Sequence, residues 1–198
     1  MKNRLTFMLL FISVIACKAQ SPIIDIEKKP YFTKTQENAY YKDINNFYND
    51  FEGTWVATKG NKTLKIVLSK KNKSYTGKFY TDHVSGEYEY KENGITIINT
   101  LSNTNSNLIG ISTSRLLKSH YKPPCNDCSP TKRRLRVLFS DNTRDIHNAL
   151  ALQLITVNGK PALKGLLFSN GGLSYHIDNP PAHFNMTIPT GWWTFIKQ

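Results

Sequence analysis

The chain has 198 residues, 39% of them hydrophobic, and a formal net charge of +12 from 26 Lys and Arg against 14 Asp and Glu. That length suits one domain plus a tether and suffices for a sizeable core, and no fixed-period repeat or low-complexity tract divides it, which excludes a repeat array. The positive surplus favours acidic company, such as anionic lipid head groups, cell-wall polymers or acidic glycans.

At the N-terminus, Lys2 and Arg4 precede an apolar run from Leu5 to Ala16 that ends in small residues. A basic head and a short apolar core predict a secretory signal peptide over 1–16, since the run falls well short of the ~20 residues needed to span a bilayer. Cys17, directly after Ile15-Ala16, resembles the lipobox of bacterial lipoproteins, in which the thiol is acylated and becomes the first mature residue. Cysteine parity agrees with lipidation at Cys17. The two remaining cysteines, Cys125 and Cys128, then form a pair in an oxidising compartment. A competing cut after Ala19 would release a secreted or periplasmic chain instead. Exported location also makes nucleic acid a poor partner.

Residues 17–35 carry Pro22 and Pro30 with mixed charge and no sustained period, which reads as a lipid-anchored tether. In 36–51, Tyr40, Ile44, Phe47, Tyr48 and Phe51 recur at spacings of three and four, predicting a short N-terminal helix with one aromatic stripe. From Glu52 the period changes to two. Leu64, Ile66 and Leu68 alternate with polar neighbours, as do Tyr88 and Tyr90, and strands are expected over 54–59, 63–69, 74–81, 85–91, 94–100, 108–117, 132–140, 150–157, 162–169 and 191–197. Asn93-Gly94 and Asn158-Gly159 accept positive φ at both centres of a tight hairpin turn. Lys70–Lys73 and Asn170-Gly171-Gly172 mark further turns, and Asp145–Ala151 admits a helical turn before its strand. The expected fold is all-β, an antiparallel up-and-down barrel of about 8–10 strands over 36–198, closed because an open meander would leave long edges unpaired.

Gly53-Thr54-Trp55 opens the first strand after the predicted helix and resembles the Gly-x-Trp of lipocalin-type barrels, where the Trp plugs the closed end and a basic residue packs over it. Arg134 and Arg136 are the candidates for that cation. The lipocalin-like pattern implies a small apolar ligand in the barrel, with Trp55, Tyr75, Phe79, Tyr88, Phe139 and Phe168 as candidate cavity residues. Over nearly the whole chain, Cys17-Lys18-Ala19-Gln20, Ser21-Pro22-Ile23, Phe51–Trp55 and the tryptophan-rich last strand resemble an uncharacterised family of flavobacterial (Bacteroidetes) lipoproteins. That resemblance implies an envelope location and no known activity. The absence of acidic residues in Lys18–Ser21 implies an outer-membrane anchor facing the periplasm.

Cys125-Asn126-Asp127-Cys128 lies among Pro123, Pro124 and Pro130, which argue against the helix N-terminus that activates redox thiols, so a structural disulfide staple is expected. Lys132, Arg134 and Arg136 share one strand face and form a candidate basic surface for acidic polymers or lipid head groups. Among the five histidines, Asp82-His83 and His176-x-Asp178 are read as carboxylate neighbours. A Gly-x-Ser-x-Gly turn, paired zinc histidines and a phosphate-binding Gly-rich loop are all missing, so no catalytic residue, metal or cofactor is expected. The reading is an envelope lipoprotein that binds a small hydrophobic ligand without catalysis. The alternative is an envelope interaction protein using a basic, aromatic surface.

Overall fold

Where apolar and polar residues alternate, the backbone is extended. The structure, a computed structural model, describes residues 21–102, 110–117, 123, 125, 131, 133–169, 171, 177, 178 and 180–198. Cys17, Cys128 and Lys132 lie outside the described residues. Two short strands come first, β1 (Ile23–Asp25) and β2 (Tyr40–Lys42). They are followed by β3 (Gly53–Lys59), β4 (Lys62–Tyr75), β5 (Tyr80–Glu92), β6 (Ile95–Asn99), β7 (Ile111–Leu117), β8 (Arg134–Asp141), β9 (Ile146–Val157), β10 (Lys160–Ser169) and β11 (Gly191–Lys197).

Eight of these, β3, β4, β5, β7, β8, β9, β10 and β11, pair antiparallel in chain order. β11 returns to β3 through Ile196 and Lys197, and β5 meets β7 where Gly86 faces Ile111. The result is a closed antiparallel barrel. β6 folds onto β5 as an extra hairpin strand, while β1 and β2 add to β5 in parallel register beyond the ring.

Both Asn-Gly turns form as their chemistry requires, with φ of 53° and 76° at Asn93 and Gly94 and of 50° and 75° at Asn158 and Gly159. The turn expected at Lys70–Lys73 does not form. β4 runs through it with a bulge between Lys71 and Ser74, and the chain reverses four residues later, where Thr76 and Phe79 hydrogen-bond each other. The bulge is held by Asp82, whose carboxylate accepts the Lys73 N–H at 2.9 Å while Lys73 sits at φ 50°. Asp145–Ala151 is likewise not helical, since β9 begins at Ile146 directly after a turn.

The helix predicted over 36–51 is absent; the described residues there form β2 and a 3-10 turn, Phe47–Phe51. Asn38 and Asn46 take left-handed φ of 57° and 55°, which breaks a right-handed helix on both sides. Asp43 accepts the N–H groups of Phe47 and Tyr48, each at 2.9 Å, offering these donors a partner outside any helix. Of the predicted stripe only Tyr48 and Phe51 are fully enclosed; Tyr40 and Phe47 are half-buried and Ile44 is 52% exposed.

Inward rows fill the barrel. Trp55, Tyr88, Tyr90, Phe139 and Phe195 are 0% exposed, packed with Leu64, Ile66, Leu135, Leu150 and Leu163. Each such side chain contributes about 1.5–3 kcal/mol of burial. At Gly165 a Cβ would lie 2.9 Å from the Phe195 ring and 3.1 Å from Leu152, so only glycine lets that ring seat.

Candidate functional site

The two ends of the barrel differ, and the difference locates the candidate site. At the end where β3 begins, the 3-10 turn Phe47–Phe51 lies across the interior and Trp55 plugs it. The indole Nε1 donates to the Phe51 carbonyl at 2.9 Å. Lys197 pairs with Trp55 across β11 and β3, and its Nζ lies 4.9 Å from the indole centroid. Gly53, at φ 120°, leaves room for the Lys197 stem, whose Cε would lie 3.1 Å from a Cβ there. The cation over the tryptophan is therefore Lys197 rather than Arg134 or Arg136. Only the closure of the last strand on the first reveals this, because the two residues are far apart in sequence.

The same end holds a buried polar cluster. Asp82 accepts the Tyr40 hydroxyl at 2.6 Å and the Asp43 N–H at 2.9 Å. Asp43 pairs with Lys70 Nζ at 2.9 Å, which also donates to Asn49 Oδ1 at 2.9 Å. Burial and the bond to Asp82 push the Tyr40 hydroxyl up to about 12. The carboxylates are saturated by local donors, so this cluster joins β2, the 3-10 turn and the β4–β5 hairpin.

At the opposite end, Asp141 is 0% exposed. Its carboxylate accepts the Thr143 hydroxyl at 2.6 Å and N–H at 3.2 Å, and the Thr187 N–H at 2.7 Å. Burial pushes this carboxyl up, but the bonds from Thr143 and Thr187 outweigh it and hold it below the ordinary range. Asp141 thus ties the irregular segment before β11 to the β8–β9 turn. Between that segment and the adjoining ends of β9 and β10 lies a pocket of about 490 Å³. Leu167, Phe168, Phe184 and Met186 supply apolar wall; His147, Asn148 and Asn185 supply polar groups.

His147 invites a catalytic reading, because Nδ1 lies 3.0 Å from Ser140 Oγ and Nε2 lies 3.6 Å from Asp145. The Asp145 side chain is 96% exposed, however, and a solvated carboxylate at that distance does not orient the ring. The other sequence neighbours do not cooperate either. Asp82 is consumed in its own cluster, and burial, with Lys29 next in effect, pushes the His83 ring down. His176 lies outside the described residues. Among the described residues, no group of three or more His, Cys, Asp or Glu can hold a metal.

The six candidate cavity residues are not brought together. Trp55, Tyr88 and Phe139 share the packed interior, with the Tyr88 and Phe139 rings 4.5 Å apart and the Tyr88 hydroxyl donating to the Ser140 carbonyl at 2.8 Å. Phe79 belongs to a separate small cluster with Ala39 and Tyr41. Tyr75 is 57% exposed, because the bulge carries the β4–β5 tip beyond the ring. Phe168 is on the pocket wall.

Of the candidate basic surface, Lys132 lies outside the described residues and the two arginines are less exposed than expected. Arg134 is 2% exposed and Arg136 is half-buried; burial lowers the pKa of both. The N-terminal segment reaches this side of the barrel: Glu27 pairs with Arg133 at 2.8 Å, and the exposed Tyr31 stacks under Arg115 at 4.6 Å. Cys125 is disulfide-bonded. Its expected partner Cys128 lies outside the described residues.

A family model described as a family of unknown function (DUF6705) matches residues 1–198. The chain belongs to that family. Neither a curated protein nor a solved structure matches it.

Proposed function

We propose that the protein is a non-enzymatic, lipocalin-like binder of a small amphipathic molecule, exported and held at the envelope through Cys17. The observation that carries the binding reading is the pocket of about 490 Å³ at the end opposite Trp55. Its volume falls within the roughly 300–1,000 Å³ of small-molecule sites. Large side chains fill the middle of the barrel, so the ligand sits at the mouth rather than among Trp55, Tyr88 and Phe139. Phe168, Phe184 and Met186 suit an apolar body, and His147 with Asn148 and Asn185 suits a polar end. Gly53-Thr54-Trp55, with Lys197 across the indole, supports the lipocalin likeness.

Thermal shifts against a panel of fatty acids, lysolipids and small aromatic acids test the binding reading. A ligand is expected to raise Tm of the wild type, and Phe184→Ala, at an exposed position, is expected to abolish the shift while sparing the fold. No shift across the panel, or shifts that survive both Phe184→Ala and Phe168→Ala, overturns it.

The envelope reading rests on Lys2, Arg4, the apolar run and Cys17. Metabolic labelling with a radioactive fatty acid is expected to mark the wild type and not Cys17→Ala. An unlabelled chain beginning after Ala19 overturns lipidation.

A further inference from the structure

The β4–β5 tip extends past the closed end of the barrel and is widened by β2 and β1 into a small ledge. Registers align Ile23, Tyr40, Tyr80 and Tyr75 as one cross-strand row. Ile23 is 63% and Tyr75 57% exposed, and the Tyr75 and Tyr80 rings lie 5.0 Å apart. The bulge in β4 aims Lys73 across the row, its Nζ 5.9 Å from the Tyr40 centroid and 5.6 Å from that of Tyr80. Two more lysines flank the tip on its reverse side: Lys71 stands exposed opposite His83, and Lys78 donates to the Phe32 and Thr33 carbonyls, 5.8 Å from the ring of the exposed Phe32. Asp82, beneath the row, is 1% exposed and already bonded, so it presents no carboxylate to a partner.

We propose that this ledge docks on an anionic membrane surface, with the lysines on lipid phosphates and the tyrosines at head-group depth; the inference rests on the envelope location proposed above. Two further observations choose this occupant. Tyrosine bodies with polar tips beside snorkelling lysines are the composition that water–lipid boundaries favour. The chain also enters here: the Pro22 carbonyl accepts the Tyr40 N–H at 2.9 Å, so the stretch bearing Cys17 joins the fold beside the ledge. Six peptide steps lead from Cys17 to Ile23. At no more than about 3.5 Å each, they keep the ledge within roughly 20 Å of an acylated thiol. The tether would supply attachment, and the ledge would set orientation, turning the pocket end away from the bilayer.

The test uses the full chain on phosphatidylcholine vesicles with and without phosphatidylglycerol, read by amine acylation and mass spectrometry. Lys71, Lys73 and Lys78 are expected to be shielded on the anionic vesicles alone, with shielding lost at high salt, while Lys59 at the far end of β3 labels equally on both. The triple variant Lys71→Gln, Lys73→Asn, Lys78→Gln keeps a residue suited to positive φ at the bulge. It is expected to lower partition onto phosphatidylglycerol vesicles by about fivefold per lysine, leaving partition onto phosphatidylcholine unchanged. Equal labelling on both vesicles, or wild-type partition by the variant, overturns the docking. Shielding by a soluble acidic polysaccharide but not by vesicles also overturns it, in favour of a polymer partner. An acylated Cys17 with unshielded lysines defeats docking alone; shielded lysines on a chain whose Cys17 is never acylated defeats the anchor alone.

Discussion

Each end of the barrel is secured by buried aspartate, with opposite results for the space left behind. At the Trp55 end, Asp43 and Asp82 gather β2, the 3-10 turn and the β4–β5 hairpin, and Lys70 compensates Asp43 at 2.9 Å. Aromatic side chains then close the interior completely. At the other end Asp141 works with neutral donors from Thr143 and Thr187, and the segment it holds leaves a pocket of about 490 Å³. Charge-assisted bonds combined with packing close an end; a single carboxylate holding an irregular segment leaves a mouth whose backbone opens more readily.

The sharpest way to break this comparison is Asp43→Ala, which strands Lys70 and two N–H donors. A loss of about 3–5 kcal/mol in urea unfolding is expected, as for other buried pairs deprived of one partner. Asp141→Ala should cost less, about 1–3 kcal/mol, because only neutral donors lose their acceptor. It should also speed amide exchange at Thr187 and leave the Lys73 amide, bonded to Asp82 at the closed end, unchanged. Equal losses from the two variants, or slowed exchange at Thr187, would remove the distinction between the ends.

Acid sensitivity sharpens it further. Asp141 is held below the ordinary carboxylate value in the fold. Its contribution is therefore present above about pH 4 and is lost as pH falls through the lower, folded value. Asp141→Asn should flatten that part of a pH–stability curve. The His83 ring, pushed down by burial and then by Lys29 and Lys71, behaves similarly at a higher pH. Stability is full above about pH 6.5 and declines as pH falls through the folded value, a slope that His83→Gln should erase. The smallest effect is expected at Lys197→Ala. Losing an exposed cation over Trp55 should cost about 0.5–1 kcal/mol and alter the indole emission.

Much of the barrel was legible from local chemistry. Asn93-Gly94 and Asn158-Gly159 turn where their positive φ demands it, and the alternation through Leu64, Ile66 and Leu68 sets which face is buried. The spacing of Tyr48 and Phe51 correctly marked buried rings while misnaming their backbone. A three-and-four spacing cannot see Asn46 entering the left-handed region or Asp43 capturing two amides. Less of the candidate site was legible. Of the six proposed cavity residues only Phe168 lines the pocket; Phe184 and Met186 sit in a stretch without periodicity, so nothing in their neighbours announced them. Arg134 read as a surface charge because alternation gives the face but not what later covers it.

By itself the sequence determined a chain of short strands, most of its hairpins and the apolar rows, since these follow from period-two alternation and turn stereochemistry within a few residues. Only the tertiary structure decided that β11 closes on β3, that Lys197 covers Trp55, and that the N-terminal segment reaches Arg133 and Arg115. It also decided which end stays open. The reason is physical: those outcomes depend on register between strands far apart in the chain, where a shift of one residue exchanges the inner and outer faces.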